Sequence, residues 1–364
     1  MMVLFGFFSL VLILVYWINR AVVLFDQLIA NGQSAFVFLE FTALSLPNVI
    51  ALVLPMAGFA AAVYGTNRLA ADSELVVVQA TGYSPYRLAR PVLIFGLIVG
   101  ILVSILTHFL VPISLAQLRE RTIEVSDNVT ARLLREGTFL HPSPGITFYI
   151  GHITPEGELL DVFLSDARAD GSRTNYSARS ALLLHQVEGP RLIMFDGVSQ
   201  TLSEETQRLS TTSFTDFSID VATFMDKPVS KTRRANELST PELLWPSDAI
   251  IEETRSRRAV LLQEGHERFA QASLAVIATV IGFSALLIGG YSRFGLWRQI
   301  GLAVFLLIVL KSLDNAMADL ARSDAAFWPV SYVSTLAGVF ICYALLWLSA
   351  RPALFSTRRR AGAT

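Results

Sequence analysis

Lysine and cysteine are nearly missing from this 364-residue chain: Lys227, Lys231 and Lys311 are the only lysines and Cys342 the only cysteine. A single thiol excludes an internal disulfide framework and a cysteine-based metal site. Charged residues make up 16% of the sequence, against about 25% in an ordinary soluble domain. The net charge of −1 gives no basic footprint for nucleic acid. Catalytic motifs are missing as well. The dipeptide Gly-Lys never occurs, so there is no phosphate-binding loop of the form G-x-x-x-x-G-K-[ST]. Neither H-E-x-x-H nor G-x-S-x-G occurs, and the five histidines (His108, His141, His152, His185 and His266) stand singly. The chain reads as a transport or binding protein without a catalytic centre, metal or cofactor of its own.

What is there in quantity is apolar sequence. Residues 1–19, 41–67, 91–118, 270–292 and 325–350 contain no Asp, Glu, Lys or Arg. Each is long enough for the ~20 residues that cross about 30 Å of hydrocarbon. A sixth run, 299–320, is apolar apart from Lys311, Asp314 and Asp319. The expected architecture is a six-span α-helical bundle arranged three plus three around a large insert. The division is 1–118 for spans one to three, 119–268 for the insert, and 269–364 for spans four to six with a short basic tail. The first run lacks both the basic flank before it and the small-residue cleavage site after it that a secretory signal carries, so it is read as a retained span.

Basic residues in short loops set the orientation. One side would hold Arg68, Arg87, Arg90, Arg293, Arg298, Arg351, Arg358, Arg359 and Arg360; the short loops opposite hold only Arg322. The first side is therefore expected to be cytoplasmic, with both termini, and the insert extracytoplasmic. Within the insert, "ITFYIGHI" (146–153), "LLDVFLSD" (159–166), "RSALLLHQV" (179–187), "RLIMFDGVSQTL" (191–202) and "TTSFTDFSIDV" (211–221) are short, rich in β-branched and aromatic residues, and separated by turn formers. They predict strands of a sandwich or jelly-roll-like sheet; the last alternates, with Phe214, Phe217 and Ile219 among polar neighbours, and Phe214 and Phe217 are expected to face the interior. The flanks 119–136 and 240–268 read as charged helices.

The segment "ADSELVVVQATGYSP" (71–85) lies between spans two and three. Asp72 or Ser73 can cap a helix start, Glu74 suits the first turn, Gly82 suits a left-handed C-cap and Pro85 a stop. A helix over 72–82, about 13 Å long for nine residues, is too short to cross a membrane. Its acidic head argues against an interfacial helix, which usually turns basic residues to the headgroups. It is expected to dock on a cytosolic protein, with Glu74 meeting a basic residue and Leu75 and Val78 filling an apolar groove.

The stretch "LPNVIALVLPMAGFAAAVYGTNRLAADSELVVVQATGYSPYRLARPVL", with "EGHERFAQASLAV" entering the fourth span and the loop "YSRFGLWRQ", resembles the lipopolysaccharide-export permeases of the LptF/LptG family, more on the LptF side. The three-plus-three layout with a β insert is similar along the whole chain. Family members begin with a short basic stretch before span one, whereas Met1 here already starts the apolar run. The resemblance implies an inner-membrane permease that pairs with an LptG-like paralogue and sits on an LptB-like cytosolic ATPase dimer. It would pass lipopolysaccharide through a periplasmic jelly-roll to an LptC/LptA-like bridge. ATP and Mg would be bound by the partner, and the 72–82 helix (Asp72, Ser73, Glu74, Leu75, Val78, Gly82) would couple hydrolysis to transport. Arg20 matches a basic family position and could meet an anionic lipid head. Phe214 and Phe217 would contact lipid inside the sheet.

Lys311 and Asp314, three apart, can pair on one helix, and the reading preferred is a pair that holds the bundle. Two other functions stay open: a membrane-anchored receptor or scaffold, and a permease of the lipoprotein-releasing type. The latter is disfavoured by six spans split three and three.

Overall fold

The computed structural model describes residues 1–30, 35–132, 136–141, 145–155, 157–168, 171–186, 189–203, 206–220, 232–288 and 296–351. The chain divides into two compact units, Met1–Leu118 with Thr232–Thr364, and Arg119–Lys231. Residues 232–257 thus pack with the spans rather than with the sheet.

Among the described residues, six helices are long and apolar enough to span a bilayer, lying wholly or mainly in the first, membrane unit. They are α1 (Met2–Ala30), α2 (Ala35–Ala71), α4 (Pro85–Ile105) running on through a π-turn into α5 (Val111–Arg132), α8 (Arg258–Leu286), α9 (Trp297–Ala321), and a 3₁₀ segment (Ala325–Tyr332) leading into α10 (Val333–Ser349). Pro47 and Pro55 sit inside α2 without ending it. Large apolar side chains stand outward, such as Val3 at 87% exposure and Phe340 at 71%. In water that would be an aggregation surface; in lipid it carries no penalty.

Helix α8 is the axis of this unit. Phe59 and Val63 of α2, Ala303 and Leu310 of α9, and Cys342 and Leu345 of α10 share one buried cluster with its Ile277, Ile281 and Ala285. Gly96 and Gly100 let α4 approach closely. A Cβ at Gly100 would lie 2.6 Å from Val276 and 3.0 Å from the Ala272 carbonyl oxygen, and one at Gly96 would run into the Thr279 hydroxyl. Small residues four apart are the usual means of close helix contact in lipid, where no hydrophobic force drives spans together.

Before α8 the chain forms a folded strap. A single 3₁₀ turn (Ala235–Glu237) is followed by α6 (Thr240–Leu244) and α7 (Asp248–Thr254). Ser239 and Glu242 form a reciprocal capping box at the start of α6. Leu238, Leu243 and Leu261 of α8 are all at 0% exposure in one cluster. The sequence reading of one charged helix over 240–268 is thus replaced by two short helices and a long one, separated where Pro246 and Ser256 interrupt the pattern.

In the second unit, β1 (Ile146–Ile153), β2 (Leu159–Asp166), β3 (Ser172–Gln186), β4 (Gly189–Ser203) and β5 (Leu209–Asp220) make one antiparallel sheet in chain order. Residues 136–140 bridge to β1 through Glu136↔Ile150 and Leu140↔Phe148. The inner face holds Ile146, Ile150, Leu159, Leu164 and Met194, each 1% exposed or less. Burying such a side chain contributes about 1.5–3 kcal/mol.

All five strands share a crease. Pairing passes from Ile150↔Val162 to His152↔Leu160, from Val162↔Ala178 to Leu160↔Ser180, from Ala178↔Gly197 to Ser180↔Phe195, and from Gly197↔Phe214 to Phe195↔Asp216. The skipped row is Gly151, Asp161, Arg179, Asp196 and Thr215, with Asp161 and Asp196 at φ of 52° and 48°. Two successive rows consequently face outward, and inward residues lie three apart: Leu159 and Val162, Ala178 and Ala181, Met194 and Gly197, Phe214 and Phe217. Strict alternation would have put Phe214 and Phe217 on opposite faces. The crease brings their rings to 5.3 Å, with Phe217 stacked on Tyr176 at 5.1 Å. Gly197 lies under the Phe214 ring and has no room for a Cβ, which would also meet the Ser177 carbonyl oxygen at 2.6 Å.

Candidate functional site

The short helix α3 (Glu74–Ala80) spans seven residues, about 10 Å. Gly82 takes the left-handed conformation expected of it (φ 82°) and its N–H donates to the Gln79 carbonyl at 3.0 Å. Pro85 does not stop this helix; it opens α4 behind Ser84. The expected side-chain cap is not formed. Ser73 is itself left-handed (φ 62°) with no capping bond, and Asp72 turns back to Arg68 at 3.7 Å.

Leu75 also departs from expectation. It is buried at 9% in a cluster with Ala89, Val92, Phe283, Leu287 and Leu346. It therefore anchors α3 to its own spans and does not reach a partner's groove. Val78 is half-buried. The face left outward carries Glu74 and Val77, the latter 62% exposed.

A cavity of about 590 Å³ opens within the membrane unit. Its walls differ in kind. One is apolar: Ala51, Leu52, Pro55 and Met56 from α2, then Val103 and Val111 on either side of the π-turn (Leu106–Leu110). The other carries the charged and polar side chains, set among Leu274, Ala278, Leu307 and Ile308: Glu264, Glu267, Arg268 and Gln271 of α8, Lys311 of α9, and Arg322 just beyond it. The four α8 residues follow i, i+3, i+4, i+7 and so share a face, at the edge of a run that is otherwise uncharged.

The charged wall is heavily cross-bonded. Arg322 donates through Nε to Gln263 Oε1 at 3.1 Å and through a terminal nitrogen to Asp319 at 3.2 Å, with Glu267 at 3.8 Å. Gln263 and Gln271 both donate to Glu267, Gln271 at 3.2 Å. Lys311 Nζ donates to Asp314 Oδ2 at 2.8 Å, and Ser334 Oγ of α10 to Asp314 Oδ1 at 2.7 Å. Arg268, 4% exposed, donates to Thr240 Oγ1 at 3.0 Å, the Leu238 carbonyl at 2.9 Å and the Asn236 carbonyl at 3.5 Å, which fastens the strap to α8. Thr240 Oγ1 also meets His108 Nδ1 at 2.9 Å.

Of the residues singled out in the sequence, Lys311 lines this cavity and Asp314 bonds to it. Arg20 does not: it is an exposed residue within α1, which continues to Ala30. Phe214 and Phe217 belong to the sheet. Arg268, Glu264, Glu267, Arg322 and Ser334 were not foreseen; the helical spacing of charges in "EGHERFAQ" was the available signal. Among the described residues, no group of His, Cys, Asp and Glu could hold a metal ion. The arrangement suits a molecule with an apolar body and a charged or hydrogen-bonding head.

Six apolar helices and a five-stranded antiparallel sheet define a polytopic membrane protein with an inserted β domain. Residues 1–351 match the family described as "Lipopolysaccharide export system permease LptF/LptG", and the chain belongs to that family. An uncharacterized protein of Rickettsia prowazekii (strain Madrid E) is 21% identical over 336 residues, covering 91% of this chain and 92% of that protein. The lipopolysaccharide export system permease proteins LptF of Escherichia coli (strain K12) and Shigella flexneri are each 22% identical over 162 residues, 44% of this chain and 44% of theirs. Family membership makes the chain a permease subunit for lipopolysaccharide export, and a transporter component rather than an enzyme.

Proposed function

We propose that this chain is the LptF-like half of an exporter completed by an LptG-like paralogue and driven by an LptB-like cytosolic ATPase dimer, which binds the ATP and Mg. The cavity holds the lipid during extraction from the inner membrane, and the sheet passes it to an LptC/LptA-like bridge. The observation that carries this reading is the division of the cavity into an apolar wall and a charged one, which matches acyl chains beside an anionic head. Orientation rests on arginine. Arg68, Arg87, Arg90, Arg298 and Arg351 share the proposed cytoplasmic side; Arg293, Arg358, Arg359 and Arg360, which add to the same count, lie outside the described residues. The sheet is then periplasmic and both termini cytoplasmic.

Photoreactive residues at Leu52 and at Phe214 test the route. Both should crosslink to lipopolysaccharide in cells. Crosslinks from both positions to protein alone would favour the receptor or scaffold reading.

Helix α3 is the proposed point of ATPase contact, through Glu74 and Val77 rather than Leu75. Glu74→Lys reverses a charge at a contact partly removed from water, where loss of such a pairing costs about 2–5 kcal/mol. The expected result is normal membrane insertion, with loss of ATPase co-purification or of lipid-stimulated hydrolysis. Insertion with a fully coupled ATPase would make α3 a mere connector.

A further inference from the structure

The charge pair inside the membrane unit is asymmetric. The Asp314 side chain is 8% exposed, whereas Lys311 is 55% exposed and lines the cavity. The acid is also tied from a second helix, by Ser334 of α10, itself at 0% exposure. The carboxylate is thus fixed on two sides, while the ammonium on its flexible stem can leave it. A pair that served only to hold helices together would have both members packed; here one member faces open space. Lipid-borne anions entering the cavity therefore meet an ammonium whose charge Asp314 already offsets.

We propose that Asp314 is an internal competitor that sets how tightly the cavity holds an anionic lipid, without touching the lipid. The inference rests on the cavity being the lipid site. A transport site has to bind well enough to load and weakly enough to unload. Lys311 alone, unpaired in a low-dielectric wall, would hold a phosphate or carboxylate strongly. With Asp314 beside it, an entering anion also meets a fixed negative charge, which weakens capture and favours release. Ser334 tempers the competitor: its hydroxyl donates to the carboxylate and so lowers that carboxylate's demand on Lys311.

Two substitutions in the same contact are then expected to move lipid retention in opposite directions. Asp314→Asn keeps the side-chain shape and an oxygen for the Ser334 hydroxyl but removes the charge. Ser334→Ala leaves a carboxylate with one fewer donor. Lipopolysaccharide affinity is measured on the complex with its paralogue and ATPase in nanodiscs, together with ATP-driven release. Asp314→Asn should bind on the order of tenfold more tightly, as expected when a charge-assisted hydrogen bond no longer competes, and should release more slowly. Ser334→Ala should bind more weakly.

Lys311→Met should weaken binding, and in that background Asp314→Asn should have no further effect. If Asp314→Asn and Ser334→Ala both weaken binding, or Asp314→Asn leaves it unchanged, the acid is only structural and the proposal fails. If Asp314→Asn does not assemble, Ser334→Ala decides, and binding at or above the native level overturns it. Unchanged binding in Lys311→Met would instead overturn the cavity as the lipid site, a separately recognisable result.

Discussion

Gly100→Leu is expected to stop α4 from seating on α8, and with it the assembly of the membrane unit. The new side chain would have to displace Val276 and also the Ala272 carbonyl oxygen, which is backbone and cannot turn aside. Overpacking of this kind costs typically about 1–3 kcal/mol and occasionally more. Here the upper end applies, because α8 is also held by α2, α9 and α10 and cannot retreat from one neighbour without losing the others. Thermal unfolding in detergent should show a strongly lowered midpoint, or no recoverable folded protein. Gly301→Leu on α9, where a Cβ would meet nothing within 4 Å, is the control. It should melt at or slightly above the native temperature, since replacing glycine in a helix is favourable where there is room. A native midpoint for Gly100→Leu would mean that α4 and α8 do not approach as described.

Arg268→Met should free the strap while leaving the bundle in place. Methionine can fill part of the volume but donates none of the bonds to Thr240, Leu238 and Asn236. Hydrogen bonds from a charged donor are worth about 1.5–3 kcal/mol each, though the three are not additive and the Asn236 bond is long. A local loss near 3 kcal/mol would raise amide exchange over 235–247 by about a hundredfold at 1.4 kcal/mol per tenfold. Exchange within α8 beyond Ala275 should stay as in the native protein. Lysine at this position should restore little, because one ammonium cannot reproduce a fork that reaches a hydroxyl and two carbonyls. Unchanged protection of the strap would show that Leu238 and Leu243 hold it without the arginine.

How far these features could be read in advance depends on the range of the interactions that create them. The six spans follow from where charge is missing, and β1 and β2 begin and end at the residues their composition indicates. The Lys311–Asp314 pair is local, three residues apart on one helix, and so was visible. Its third member was not, since Ser334 arrives from another helix and nothing in the spacing of hydroxyls on α10 points to Asp314. The same holds for Arg268, whose partners lie about thirty positions earlier in the chain. Leu75 was assigned to the wrong neighbour for a related reason. Seven residues of helix show which side chains are apolar but not which side of the helix the rest of the chain will cover. The phase slip in the sheet escapes any single strand; Asp161 and Asp196 look like ordinary turn-prone residues until five registers are laid side by side.

That slip makes the five strands a single unit of length. Each carries its extra outward residue at the same level, so the ladders on both sides stay in step. Deleting one residue from one strand cannot be absorbed there: it would reverse inside and outside for everything on one side of the deletion, while four neighbours keep their own order. Transplanting one strand from a relative would succeed only if the donor slips at the same level. For anyone building chimaeras from this domain, the smallest exchangeable piece is the whole sheet.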